Sequence, residues 1–268
     1  MYHLKKVYNY KNHFKRIHMS KTALITGATS GFGDATAVKF VEAGYNVIIT
    51  GRRTDRLDAF KARFPKANIL ALNFDVSDKK AVFDAIASLP EAYKNIDVLV
   101  NNAGLALGLG KAPEASLNDW DTMIDTNIKG LLYMTRAVLP NMVARKSGYI
   151  FNLGSIAGNW PYEGGNVYGA TKAFVKQFSL NLRTDLKGTN IRVTNIEPGF
   201  SETEFSDVRF KGDKNKASQV YKGTKALDKE DIANAIFSLS QLPSHVNVTR
   251  IEMMPTKQTC GGLFVERD

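Results

Sequence analysis

Tyr168 and Lys172 stand four residues apart in the stretch GGNVYGATKAFVKQFSLNLRTDL, residues 164–186, which reads as a helix starting near Asn166. On a helix this spacing puts a phenol and an ammonium on one face, one turn apart. The chemistry on offer is a base made from a weak acid. A free tyrosine holds its proton to a pKa of about 10, and bringing it near 7 needs roughly 4 kcal/mol of preference for the phenolate. A neighbouring cation supplies part of that. The spacing decides nothing by itself: Tyr2 and Tyr221 also have a lysine four residues on, Lys6 and Lys225, so three of the ten tyrosines share it. What singles out Tyr168 lies elsewhere in the chain.

A second chemical signature is TALITGATSGFGDATAVKFVEAGYNVIITGRR. Ala23 to Ile25 reads as a buried strand, Phe32 to Ala43 as a helix stopped by Gly44, and Val47 to Ile49 as a second strand. Gly27, Ala28, Thr29, Ser30, Gly31, Phe32 and Gly33 form the first turn of this βαβ unit. There the missing glycine side chains let backbone N–H groups and the helix N-terminus reach a pyrophosphate. Gly104, Gly108 and Gly110 repeat the spacing but are followed by Lys111, Ala112 and Pro113. Without an opening helix they lack the positive end a phosphate needs, and they read as a flexible loop over the site. At the end of the second strand, where an acid would hold a 2′-hydroxyl, the chain has Gly51, Arg52 and Arg53. Cations there favour NADP over NAD, the alternative being a solvated helix start.

The elements that must position these groups alternate along the chain. Strand patterns at Ile69–Leu72, Val98–Val100, Tyr149–Leu153, Val193–Ile196 and Val246–Ile251 alternate with helical patterns after Ser77, at Leu117–Ala144, in the Tyr168 stretch and around Asp231–Leu239. This predicts an α/β fold: one doubly wound, Rossmann-type parallel sheet of about seven strands, with helices on both faces, as a single domain over residues 20–268. Residues 200–226 are the least regular. An irregular insertion after a strand lies at the ligand crevice, so they are expected to form a mobile lid.

Composition narrows the class. With 44% hydrophobic and 23% charged residues the chain is ordinary for a soluble protein. No run approaches the roughly 18 apolar residues of a membrane span. Neither a membrane nor a nucleic acid is expected as partner. Five of the ten excess positive charges, Lys5, Lys6, Lys11, Lys15 and Arg16, fall in residues 1–19, which hold no acid. That stretch reads as a disordered extension or a mis-started N-terminus before Met19, the other reading being a basic arm for nucleic acid or a membrane surface. The single cysteine, Cys260, fits a reducing compartment.

TGATSGFG, Asp75-Val76, NNAG at 101–104, Asn127, Ser155, YGATK at 168–172 and Pro198-Gly199, in this order, resemble the short-chain dehydrogenase/reductase family over roughly residues 20–254. Within it, NNAGLALG, SLNLRTDL, NIEPG and EMMP are similar to bacterial NADP-dependent 3-hydroxy acid dehydrogenases acting on serine-like and 3-hydroxypropionate-type substrates. The resemblance implies an oxidoreductase, cytoplasmic and homotetrameric, with a small-molecule substrate. It implies that Tyr168 is the acid/base, that Lys172 lowers its pKa and binds the nicotinamide ribose, and that Ser155 bonds the substrate oxygen. Asn127 would hold a water leading to Lys172. Asp75 and Val76 would meet the adenine, Asn102 the ribose side, and Pro198, Gly199 and Thr203 the nicotinamide end. Asn127 as a helix-kink or capping residue and Asp75 as a turn residue or N-cap stay open.

A 3-hydroxy acid carries a carboxylate, and Arg209 or Lys211 in the expected lid offers a cation for it. Trp160 and Tyr162 are candidates for the pocket wall. A serine hydrolase is disfavoured because NLGSIAG has no glycine two residues before Ser155 and beyond residue 19 the chain has only His245 as a histidine. A metal-dependent dehydrogenase lacks Cys and His ligands. A non-catalytic dinucleotide-binding regulator would not need Ser155, Tyr168 and Lys172 together. A short-chain reductase of a sugar, steroid or ketoacyl thioester keeps the class and changes the substrate.

Overall fold

The runs ALI, VII, VLV and YIF are apolar at every position, the pattern of strands covered on both faces. In the computed structural model, which describes residues 21–260, 265 and 266, they lie at the centre of one parallel sheet. The expected extension at residues 1–19 lies outside the described residues. The strands are β1 (Thr22–Ile25), β2 (Asn46–Gly51), β3 (Ile69–Asn73), β4 (Ile96–Asn101), β5 (Gly148–Leu153), β6 (Ile191–Pro198) and β7 (Arg250–Met253), in the order β3-β2-β1-β4-β5-β6-β7. The helices are α1 (Gly31–Glu42), α2 (Thr54–Arg63), α3 (Lys79–Ala87), α4 (Leu117–Ile124), α5 (Leu131–Arg145), α6 (Asn166–Asp185), α7 (Phe205–Arg209), α8 (Lys214–Tyr221) and α9 (Lys229–Ser240).

Side chains alternate across the sheet with period two. Ala23, Ile25, Val47, Ile49, Val100 and Phe151 share one core with Phe40 of α1, Leu57 and Phe60 of α2, and Ile232 and Ile236 of α9. Leu24, Ile48, Leu99 and Ile150 share the other with Val82 of α3, Met134 and Val138 of α5, and Leu182 of α6. Phe40 is fully buried, so its truncation to alanine costs about 3–5 kcal/mol.

β1 pairs with β2 on one side and β4 on the other. The strand order therefore reverses at β1, and a crevice opens at the carboxyl ends of β1 and β4. The glycine turn, Asn102, Ser155 and Pro198 all follow strands that end there.

Three elements differ from expectation. The last strand begins at Arg250, not Val246, because residues 247–249 run beside β6 without forming its ladder. Side chains make the first of those bonds, the Val193 N–H donating to Asn247 Oδ1 at 2.8 Å and the Thr194 hydroxyl to the Val248 carbonyl, and backbone pairing starts only with the Asn195 N–H on the Thr249 carbonyl. The 200–226 segment, read as irregular, contains α7 and α8. The long helical stretch from Leu117 is split by a π turn, Asp125–Gly130, with buried Asn127 inside it. Among the described residues no helix is long and apolar enough to cross a membrane.

Candidate active site

The glycine turn works by what a methyl group would hit. A Cβ at Gly33 would come within 2.4 Å of Asn102 Nδ2 and of the Gly27 carbonyl oxygen, and one at Gly27 within 2.9 Å of the Ala103 Cα. Gly27 also has φ +64°, in the left-handed region that favours glycine. Asn102 laces the turn to β4, its Nδ2 donating to the carbonyls of Thr26 at 2.8 Å and Gly27 at 3.1 Å. Ser30 opens α1 with no side-chain cap bond, leaving the first N–H groups of the helix facing the crevice.

At the end of β2, Gly51 leaves no room for a side chain, since a Cβ there would meet Thr29 Cγ2 at 2.5 Å. Arg53 caps α2 and folds back over the turn. It donates from Nη2 to Thr29 Oγ1 and Ser30 Oγ, each at 2.9 Å, and from Nη1 to Glu204 at 3.2 Å. Arg52 pairs with Asp75 at 3.3 Å. The other oxygen of Asp75 accepts the Ser77 N–H and hydroxyl. Partial burial pushes the Asp75 carboxyl up, but the Ser77 bonds and Arg52 outweigh it and hold it below the usual carboxylate range.

At the opposite end Tyr168 and Lys172 lie one turn apart on the buried face of α6, 9% and 6% exposed. Burial pushes the Tyr168 phenol up to about 12; the Arg209 guanidinium and a Ser155 hydrogen bond pull the other way. Burial pushes the Lys172 ammonium down to about 8. Lys172 Nζ donates to the Leu153 carbonyl at 2.7 Å, two residues before Ser155. Its Nζ is 5.8 Å from the Tyr168 ring centre. Ser155 is extended at the end of β5, and its hydroxyl accepts the Ala157 N–H at 3.1 Å. The helix is fixed against the sheet by a buried polar chain. Asn101 Nδ2 donates to Asn152 Oδ1 and to Thr135, and Asn152 Nδ2 donates to Ser179 of α6, each at 2.9 Å.

The 200–226 segment stands over this end. Arg209, in the last turn of α7, lies 5.1 Å from the Tyr168 ring centre and donates to the Tyr162 hydroxyl. Its Nε is buried without a hydrogen-bond partner. Lys211 is turned outward by a left-handed backbone, φ +53°, and pairs with Asp119 at 2.9 Å. Gly108 of the glycine-repeat loop donates its N–H to the Arg209 carbonyl at 2.9 Å. One continuous cavity of about 600 Å³ runs from Gly27, Arg52 and Arg53 to Ser155, Tyr168, Lys172 and Arg209.

Residues 21–214 match the family model described as short chain dehydrogenase. The chain belongs to the short-chain dehydrogenase family. It is similar to the NADP-dependent 3-hydroxy acid dehydrogenase YdfG of Salmonella typhi, 60% identical over 245 residues that make up 91% of this chain and 98% of the relative. It is also similar to the serine 3-dehydrogenase of Agrobacterium fabrum, 50% identical over 93% of this chain and all of the relative. The closed form of a serine dehydrogenase complexed with NADP+ superposes with a TM-score of 0.88 at 56% identity, covering 92% of this chain and 100% of that one.

In this short-chain dehydrogenase the cavity gathers most of the residues singled out from sequence. Gly27, Thr29, Ser30, Gly31, Phe32, Arg52, Arg53, Asp75, Val76, Asn102, Ser155, Tyr168, Lys172, Pro198, Gly199, Thr203 and Arg209 line it. Ala28 instead packs into the core, and Gly33 sits behind the turn as a close-packing position. Asn127 is enclosed by protein: its Oδ1 accepts the Leu105 N–H at 2.8 Å, and its Nδ2 donates to the Leu105 carbonyl and to Thr171. Tyr162 lines the cavity, while Trp160 does not. Glu204 and Phe205 also line it and gave no sequence signal, being ordinary residues of a polar segment.

Proposed function

We propose that this short-chain dehydrogenase is an NADP-dependent oxidoreductase acting at the 3-hydroxyl of a small 3-hydroxy acid such as serine, allo-threonine or 3-hydroxypropionate, or at the 3-oxo group of malonic semialdehyde in reverse. The observation that carries the substrate class is Arg209, whose guanidinium lies over the Tyr168 ring with a buried, unpartnered Nε. A cation enclosed beside the acid/base suits a substrate carboxylate, and an uncharged substrate would leave it without its bidentate partner.

The residues fit the cofactor. Gly27 and Gly33 let the turn close against Asn102 and Ala103, Gly31 lines the cavity at φ +55°, and two guanidiniums stand at the end of β2 in place of an acid. Gly27 to Gly33 would form the pyrophosphate cradle, and Arg52 and Arg53 would take the 2′-phosphate. Asp75, Val76 and Asn102 would line the adenosine side, and Lys172, Pro198, Gly199 and Thr203 the nicotinamide side. When bound, the nicotinamide supplies the hydride acceptor or donor.

Tyr168 takes the alcohol proton on oxidation and returns it on reduction. The Ser155 hydroxyl donates to the same substrate oxygen and shares its developing charge. The cation acting on the phenol in this structure is Arg209, not Lys172 as expected from the resemblance, while Lys172 donates to the Leu153 carbonyl beside Ser155. Asn127 keeps a supporting role, fixing the Leu105 backbone and Thr171 beside the Tyr168–Lys172 pair. The 200–226 segment closes over the substrate as a lid. A homotetramer belongs to the same reading, favoured by the exposed Phe174 of α6, which stacks on the half-buried Phe178.

The test is a panel of alcohols assayed with NADP+ and NAD+ by the appearance of reduced cofactor. Serine, allo-threonine and 3-hydroxypropionate are expected to turn over with NADP+, and their decarboxylated counterparts to lose about tenfold or more in kcat/KM, the weight of one charge-assisted contact. Equal turnover of the uncharged alcohols would refute the assignment of Arg209.

A further inference from the structure

The guanidiniums at the end of β2 already hold acidic and hydroxyl partners that an incoming phosphate would meet. Arg52 is paired with Asp75. Arg53 spends Nε and Nη2 on the Thr29 hydroxyl, the Thr29 carbonyl and Ser30, and Nη1 on one oxygen of Glu204. Arg56 pairs with the second oxygen of Glu204, also at 3.2 Å. Glu204 is therefore held by two cations from α2 and its cap, across 151 and 148 residues of chain. Partial burial pushes its carboxyl up, and the two guanidiniums more than offset this, so the acid is charged at neutral pH.

Its neighbours make the pairing consequential. Thr203 lies against the glycine turn, 3.5 Å from where a Gly31 Cβ would stand, and α7, which begins at Phe205, carries Arg209 to the substrate end. Glu204 thus fastens the lid to the groups that the proposed reading assigns to the cofactor's 2′-phosphate.

We infer that Glu204 and the 2′-phosphate contend for Arg53, which makes Glu204 a residue that sets the strength of NADP preference and couples the adenosine end to the lid. This rests on the assignment of Arg52 and Arg53 to the 2′-phosphate. A sugar phosphate carries about −1.5 to −2 charges at pH 7. Placed on Arg53 it stands beside the Glu204 carboxylate, and like charges at this range repel. The carboxylate stays only if Arg53 divides its donors between both anions, which weakens each set of bonds. Arg53, Arg56 and Glu204 keep 40–48% of their side chains in water, so the effect is moderate and screened by salt.

Glu204→Gln removes the charge and keeps the shape. KM for NADP is expected to fall about three- to tenfold at low salt, with KM for NAD within twofold of the parent and the difference fading in high salt. In the parent enzyme 2′,5′-ADP, but not 5′-ADP, is expected to speed proteolysis within residues 205–211, whereas in Glu204→Gln cleavage is fast with either. An unchanged or raised KM for NADP, or equal shifts for NADP and NAD, would overturn the inference, as would proteolysis indifferent to the 2′-phosphate. Arg53→Ala separates the two levels. If it abolishes NADP preference while Glu204→Gln changes nothing, only the role of Glu204 falls; if it leaves the preference intact, the 2′-phosphate site and the inference fall together.

Discussion

The two ends of the cavity, proposed above for the substrate and for the adenosine of the cofactor, hold their charged groups in opposite surroundings. At the substrate end Tyr168 and Lys172 are nearly dry, and burial moves their proton equilibria to about 12 and about 8. At the adenosine end Arg52 and Arg53 keep 64% and 43% of their side chains in water and meet acids that are themselves partly exposed. Proton transfer near neutral pH needs a displaced phenol, and burial displaces it upward while the Arg209 guanidinium and the Ser155 hydrogen bond work against that. Recognition needs no such displacement. It is assembled from several small, screened contacts, each adjustable by one substitution.

The contrast is tested most severely by Tyr168→Phe. Removing the phenol oxygen is expected to lower kcat by about 10³-fold, within the range of lost acid–base catalysis, with KM for NADP almost unchanged in steady-state assays. Comparable turnover by the phenylalanine variant would place the chemistry elsewhere.

Lys172→Met sharpens the comparison through stability. The ammonium is depressed from 10.5 in the unfolded chain to about 8 in the folded one. Below pH 8 both states are protonated and the folded state carries the full penalty, about 3 kcal/mol. As pH rises from 8 to 10.5 the folded state loses its proton first and the penalty disappears. The methionine variant is therefore expected to be inactive yet to unfold a few degrees higher than the parent at pH 7, with the advantage gone by pH 10.5. Thermal denaturation at both pH values checks this; a variant less stable at pH 7 would show that the Leu153 bond outweighs the cost of burial.

The smallest expected effects separate two cations two residues apart. Arg209→Ala should raise KM for the 3-hydroxy acid about tenfold or more, whereas Lys211→Ala, which breaks a pair in which the lysine is largely exposed and Asp119 is not, should change it less than threefold. Equal effects would mean that the lid contributes only its general closure.

How far these differences are legible in the sequence depends on whether the deciding interaction is local. Tyr168 and Lys172 lie on one helix turn, and the glycines lie within one strand–helix junction, so spacing proposes them and the order of neighbouring motifs along the chain selects them from the other matches. Arg209 and Lys211 offer the same charge at neighbouring positions; what divides them is the left-handed residue at the end of α7, where lysine gives no glycine-like signal. Asp75 and Asn127 look like ligands by type, yet much of their bonding capacity is taken by Ser77, Leu105 and Thr171, partners that only the fold brings together. The Asn101–Asn152–Ser179 chain is equally silent, its members scattered over two strands and a helix. Val246 to Val248 look like strand and miss the ladder because side chains occupy the β6 edge before the Thr249 carbonyl takes the first backbone bond.

The bare backbone at Gly51 governs how this enzyme can be retooled for the unphosphorylated cofactor. An acid introduced at 51 would strike Thr29 and unseat the Arg53 anchor along with it. The change has to be made at 52, where the incoming carboxylate would face Asp75, so a successful redesign replaces Arg52 and Asp75 as a pair.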